Sequence, residues 1–504
     1  MLTLVLAFAS ACAAETVDLT TPDAGVADAS AADASPPDAA AAPDAAPRRD
    51  GSIAPHCVPA TRTVELTQVG RAIDVDFAPS ADRVLVVDGV GTFHVFALPS
   101  GDRSATGVHG AGVATPRFTY DGRSVVLDVG GGELRLESLH GEPSSRLGTD
   151  YACDYLLTPD RRYLVALVAC HELSPQQPVA RLEVYDLELR AMVYSDEYVL
   201  GHSVVSTGPG VPEPMLAYLR DPRGTSCSRC PTFDGEVVEV SLSAPRAPPP
   251  SPIRFVTLYG YSLGGSTLIG GRGPCACEAT DALGAWDARA ERLLAAGTVY
   301  AGVRDTQLGT TPGVLGREGV AVVSGADERS VYAPYTGDAP RALDLQGGIP
   351  LSILSHDGTD SDLVAFDRQI QLVRMSLGHS GSPMLLGPES SPSVSAGASR
   401  DRERLAVAIE SSEGTYTLQS GPASGELELN ATSTERTTLV TVLPDGRGVL
   451  ARMGPNHLAL FRGTERLDLA NDLLESGRVF VDEGTCWAAA RREATDTVRV
   501  LPLP

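Results

Sequence analysis

The chain has 504 residues, with 51 glycines, 37 prolines and a formal net charge of −24, a length that suits one large domain or two to three ordinary ones. An apolar fraction of 43% is enough for a sizeable core and excludes wholesale disorder, while 64 acidic against 40 basic residues exclude an ordinary nucleic-acid binder, which needs a basic surface. All 40 basic residues are arginines, so mechanisms that need a lysine, including Schiff bases and the phosphate-binding loop, are excluded too.

Leu2 to Ala11 is a short apolar run ending in Ala9-Ser10-Ala11-Cys12. It falls short of the roughly 20 residues that span a bilayer and reads as an export signal over 1–11. Small residues before a Cys resemble the lipobox of bacterial lipoproteins. That resemblance makes Cys12 the lipidated residue and a membrane the partner of the anchor. The residue after it is Ala13 rather than Asp, which in that family implies the outer membrane as the location within the cell envelope.

Residues 12–56 read as the lipidated Cys and its tether. Pro22-Asp23-Ala24, Pro37-Asp38-Ala39 and Pro43-Asp44-Ala45 repeat one phrase, and eight acids from Glu15 to Asp50 face only Arg48 and Arg49. Such a segment has little to bury and repels itself, so it is expected to be extended and disordered.

Nine cysteines occur, and setting Cys12 aside leaves an even eight. In an exported chain this favours disulfides, and no metal is expected. Cys153 and Cys170 flank a hairpin and can pair across it. Cys57 opens the folded part and Cys486 nearly ends it, so their pairing would tie the termini. Cys227, Cys230, Cys275 and Cys277 form a third group, read as two disulfides rather than a tetrahedral zinc site, because a single residue separates Cys275 from Cys277.

From residue 66 onward the chain reads as repetition. Phe77-Ala78-Pro79-Ser80-Ala81-Asp82-Arg83, Phe118-Thr119-Tyr120-Asp121-Gly122-Arg123 and Leu157-Thr158-Pro159-Asp160-Arg161-Arg162 each lead into an apolar strand, at spacings of 41 and 39 residues. Weaker copies stand at Ser262-Leu263-Gly264-Gly265, Ser355-His356-Asp357-Gly358 and Ser399-Arg400-Asp401-Arg402. Leu443-Pro444-Asp445-Gly446-Arg447 is a clear copy and Val481-Asp482-Glu483-Gly484 a faint one. Two weakly marked units lie near 199–248 and 299–347. Period-2 apolar runs bounded by Gly, Pro and Asp are strands in hairpins, and a period near 40 with four short strands is a propeller blade.

The phrase resembles the Ser-Pro-Asp-Gly turn of WD40-like and TolB-type β-propellers. The resemblance implies an all-β propeller of about seven to ten four-stranded blades over 57–504, with two smaller propellers in tandem as the alternative. The strand at 63–68 is expected to complete the final blade, because a ring removes exposed sheet edges. Glu278 to Ala296 carries Leu283, Trp286, Ala290, Leu293 and Leu294 at helical spacing, but Trp286-Asp287 fits the repeat and two strands are expected there.

Few motifs point to chemistry. Gly260-Tyr261-Ser262-Leu263-Gly264-Gly265 is similar to the nucleophile elbow of α/β-hydrolases, which would make Ser262 a nucleophile. That elbow needs a following helix, and the β-branched residues, glycines and Pro274 that follow do not make one. Gly378-His379-Ser380-Gly381-Ser382-Pro383 echoes the nucleophile loop of trypsin-like proteases without its Asp, and reads as a turn. Asp357, Asp360, Asp362 and Asp367 gather carboxylates without the EF-hand spacing, so a solvated turn is expected rather than a calcium loop. Gly130-Gly131-Gly132 lacks the strand-helix setting of a dinucleotide site. The expectation is therefore a lipid-anchored, non-catalytic binding or scaffold module without cofactors, presenting loops to a protein, peptide or glycan and not to nucleic acid. A serine hydrolase at Ser262 and a metal-binding protein on Cys227, Cys230, Cys275 and Cys277 are the alternatives.

Overall fold

The computed structural model describes residues 62–110, 116–148, 150–172, 178–207, 214–220, 235–245, 254–255, 257–265, 267–272, 280–287, 290–299, 313–324, 329–346, 349–367, 371–378, 383–386, 394–474, 477–482, 486–492 and 497–503. They are all-β and entirely antiparallel. A single 3₁₀ turn at Pro444–Gly446 is the one helical element among them.

Six sheets have four strands, covering 72–108, 117–146, 349–385, 394–433, 437–470, and 479–502 together with Val64–Leu66. Two larger sheets each resolve into two such groups. In the seven-stranded one, Ala191–Ser206 pairs along its first part with Pro178–Asp186 and along its last part with Met215–Arg220, so a single strand serves both groups. In the eight-stranded one, the groups over 257–299 and 313–346 meet through one pair, Val299 with Ser324. This makes ten units, including those that the sequence marked only weakly. The Glu278–Ala296 region is a hairpin of Thr280–Asp287 and Ala290–Val299, not a helix.

Second strands such as Arg83–Asp88, Ser124–Asp128 and Arg404–Glu410 are buried on both faces, which is why they read as unbroken apolar runs. Arg83–Asp88 shows the logic. Val84 and Val86 pack toward the sheet holding both chain ends, beside Trp487, Val498 and Val500. Leu85 and Val87 point the other way, onto Phe118, Val125 and Leu127 of the next unit. Alternating side chains thus serve two different cores. The same sharing recurs along the chain: Ala406 and Ala408 pack on Val442 and Val449, and Leu450 and Leu460 on Ala488 and Leu501. Fourth strands such as Arg103–Val108 are largely exposed and carry polar side chains.

The first strand, Val64–Leu66, pairs with the last one, Val64 opposite Val500 and Leu66 opposite Val498. Glu65, on the outer side of this seam, meets Arg499 at 2.8 Å, and Arg492 Nε reaches Asp472 at 2.6 Å. Cys153 and Cys170 form a disulfide, with their Cα atoms 6.3 Å apart. Cys486 is also disulfide-bonded, and its partner is not among the described residues. Cys12, Cys57, Cys227, Cys230, Cys275 and Cys277 lie outside those residues.

Candidate functional site

Four of the turns between first and second strands share one construction. Thr119, Thr158, Ser262 and Ser399 each donate a backbone N–H to the carbonyl five residues on, at 2.8–3.0 Å. The residue three places on donates back to their own carbonyl. The hydroxyl ties the turn together: Thr119 Oγ1 donates to Asp121 at 2.8 Å and Thr158 Oγ1 to Asp160 at 2.5 Å, while Ser399 donates to Asp401. The position three on is left-handed in every case, with φ of 65° at Gly122, 58° at Arg161, 70° at Gly265 and 66° at Arg402. The sequence phrase follows directly: a hydroxyl residue, an Asp two places later, and ideally a Gly at the third.

Neighbouring turns are hydrogen-bonded to one another, so they present a joined face. Arg83 Nη1 donates to the Gly122 carbonyl at 3.2 Å. Tyr120 N donates to Arg161 O at 3.1 Å, Leu263 N to Gly316 O at 3.0 Å, and Ser355 N to Arg402 O at 2.9 Å. Asp360 reaches from its own unit into the preceding turn, accepting the N–H groups of Arg317, Glu318 and Gly319 at 2.8–3.0 Å and the Tyr332 hydroxyl at 2.9 Å.

Two arginines occupy the left-handed position where a Cβ is disfavoured. Arg161 forms a fork on Asp76, with Nη1 to Oδ2 at 2.9 Å and Nη2 to Oδ1 at 3.0 Å, and also reaches the Phe77 carbonyl at 3.0 Å. Asp76 is buried and accepts the Phe118 N–H at 2.8 Å as well. Burial pushes the Asp76 carboxyl up and Arg161 opposes that shift. Arg402 is half-buried, and its Nη1 donates to Ser352 Oγ at 2.6 Å. No carboxylate stands against it among the described residues, and burial lowers its guanidinium below the usual arginine range.

The structure places several of the residues singled out in the sequence. Ser262 is only 3% exposed, and its Oγ accepts the Thr267 N–H at 3.3 Å. It sits between two strands, Thr257–Tyr261 and Leu268–Arg272, so the strand-turn-helix of a nucleophile elbow is absent at this place. Asp357 and Gly358 form the two-residue turn of a tight hairpin, with φ of 51° and 80°. Asp362 is held by Arg374 at 3.0 Å, and Asp367 accepts the Gln371 N–H at 2.8 Å. The four acids are thus parted, and no group of three His, Cys, Asp or Glu residues suited to a metal occurs among the described residues. Gly130, Gly131 and Gly132 make a hairpin turn with three positive φ values. Residues 379–382 lie outside the described residues.

Sequence reasoning missed the Asp76–Arg161 pair, the cradle around Asp360 and the bare position of Arg402. A signal for the arginines was present: aligning the repeated phrases puts Arg161 and Arg402 in the glycine slot.

No protein-family model matches the chain, and no curated protein matches it in sequence. Solved structures do resemble it. A complex of KlAtg21 with the coiled coil of AgAtg16 is 10% identical with a TM-score of 0.33, covering 72% of this chain and 99% of that one. Hydrazine synthase of Kuenenia stuttgartiensis is 10% identical with a TM-score of 0.30, covering 86% and 95%. A eukaryotic initiation factor is 9% identical with a TM-score of 0.39, covering 72% and 87%. With TM-scores this low, these likenesses decide nothing about the work of this chain.

Proposed function

We propose that the ten units close into a β-propeller that acts as a non-catalytic binding or scaffold module, held at the cell envelope by a lipid on Cys12. The single observation that carries this reading is the face of interlocked turns. Its backbone is tied from unit to unit, and its carboxylates and guanidinia are held in place before any partner arrives. A rigid surface loses little freedom on binding, which is the condition for effective recognition. The shared cores support closure, since the sheet holding both chain ends packs on the first unit through one cluster and on the preceding unit through another. The partner is a protein, peptide or glycan, because the net charge of −24 repels nucleic acid and anionic membrane surfaces.

Chemical cross-linking of the full chain in its native envelope, with mass spectrometry of the captured species, tests this. Cross-links concentrated on the turn face support the reading. A chain that captures no partner, or that turns over a substrate, overturns it. Metabolic labelling with a fatty-acid analogue tests the anchor, and a label that survives Cys12→Ala removes it.

A further inference from the structure

We propose that Arg402 forms a carboxylate-binding site on the turn face, an inference that deepens the binding reading above and rests on it. The guanidinium is half-buried, yet among the described residues only one hydrogen bond engages it, to Ser352 Oγ at 2.6 Å. It carries five N–H donors. A buried cation without an acid is costly, so proteins ordinarily pair it.

Two other arginines follow that rule. Arg161, in the same left-handed position of an earlier turn, grips Asp76 with both terminal nitrogens. Arg374, also buried, holds Asp362 at 3.0 Å and the Gly425 carbonyl at 2.6 Å. At Arg402 the acid is replaced by a serine, and the charge is left for something else to meet. Burial lowers the guanidinium's pKa, and no carboxylate among the described residues offsets it. Beside it, Ser355 donates its backbone N–H to the Arg402 carbonyl at 2.9 Å. The Ser355 hydroxyl is fully buried and has no partner among the described residues.

The ligand chemistry follows from charge and shape. One fixed cation balances one negative charge. Asp357, Asp401 and Glu403 lie on the same and the adjoining turn, so a doubly charged phosphate would meet excess negative potential. A carboxylate carries a single charge, and its two oxygens match the planar guanidinium fork. The overall negative charge slows the approach of an anion without removing the local contact. The carboxylate comes either from a free small acid or from an acidic side chain of the partner.

The test uses the full chain at an ionic strength held constant with sodium chloride. Sodium acetate, an N-acetylated tetraglutamate amide and inorganic phosphate are titrated separately, and melting temperature is followed. Saturable stabilisation by acetate and by the peptide, weakened at least tenfold in Arg402→Gln, supports the site. Stabilisation by the peptide alone, with the same loss, supports it with the partner's side chain as the source. Arg402→Lys keeps the charge but loses the fork, so it binds several-fold more weakly than wild type; it also decides the matter if Arg402→Gln fails to fold. Stabilisation by phosphate but not by acetate or the peptide overturns the carboxylate assignment. Binding unchanged in Arg402→Gln, or no binding of either carboxylate probe, overturns the site. A partner cross-linked equally by wild type and Arg402→Gln, with no Arg402-dependent binding of acetate or the peptide, removes this site and leaves the binding reading standing. Acetate binding that needs Arg402, in a chain that captures no partner, does the reverse.

Discussion

Trp487 donates its indole N–H to the carbonyl of Ala81 at 2.9 Å, across 406 positions of chain. The ring is 1% exposed and sits in the core shared by the first unit and the sheet that holds both chain ends. Trp487→Ala should therefore cost about 3–5 kcal/mol, as truncation of a buried aromatic does. Trp487→Phe keeps most of the packing but strands the Ala81 carbonyl, and about 1–3 kcal/mol is expected. Urea unfolding with a common slope checks both. A loss under 1 kcal/mol for the alanine variant would mean that this seam contributes little.

Asp76 and Arg161 form a buried pair whose members lie 85 positions apart. Removing one breaks the fork and strips the other of its bidentate partner, so Asp76→Ala and Arg161→Ala should each destabilise by about 3–5 kcal/mol. The double variant should cost much less than both added together, because the same fork is broken only once. At Arg402 the pattern differs. Arg402→Gln removes an uncompensated cation and should leave the stability of the ligand-free chain unchanged or raise it. A double-mutant cycle and the single Arg402 variant, measured side by side, check this contrast.

The disulfide between Cys153 and Cys170 closes a loop with a sequence separation of 17. On the loop-entropy account, Cys153→Ser with Cys170→Ser should lower stability by about 3 kcal/mol. Reduction of the wild type, which also opens the bond at Cys486, should lower it by at least as much. Equal midpoints for the oxidised wild type and the double variant would refute the prediction.

Cys486 is disulfide-bonded, and Cys57, which opens the folded part of the sequence, is the partner expected to tie the termini together. Non-reducing peptide mapping should recover a cross-linked peptide joining Cys57 to Cys486. Cys486 in a peptide with Cys227, Cys230, Cys275 or Cys277 would assign the cysteines differently.

His94 is buried, with Nδ1 3.2 Å from Thr106 Oγ1. Burial and the neighbouring Arg103 hold its imidazole below the ordinary histidine value. The folded state thus binds a proton less readily than the unfolded one. The resulting stability is present above about pH 6.5 and lost as pH falls through the lowered folded value. His94→Gln should remove that part of the acid-side decline. Urea midpoints at pH 8 and pH 5.5 would show a smaller difference for the variant than for wild type.

The order of the units was legible because the repeated turn is chemically local: a hydroxyl, an Asp and a left-handed residue stand within a few positions of one another. Fully apolar runs such as Val84 to Val87 were legible too, since burial on both faces leaves no polar alternation. The unit over 313–346 was faint for a physical reason. Its turn at Gly316–Gly319 has its N–H groups satisfied by Asp360 from the next unit, more than 40 positions on, so the turn carries no Asp of its own. The site was less legible than the fold. Arg161 and Arg402 look alike in the repeated phrase, and what separates them is Asp76 against Ser352, both of which come from other units.

The strand Ala191–Ser206 closes one unit and opens the next. At most other joints a new sheet begins with a fresh strand, so a whole unit could be duplicated or cut out with its neighbours left whole. Here that is impossible, because excising either group strips a strand from the other. Any shortening or lengthening of the array by gene rearrangement must therefore carry the groups over 152–206 and 199–255 as one indivisible block.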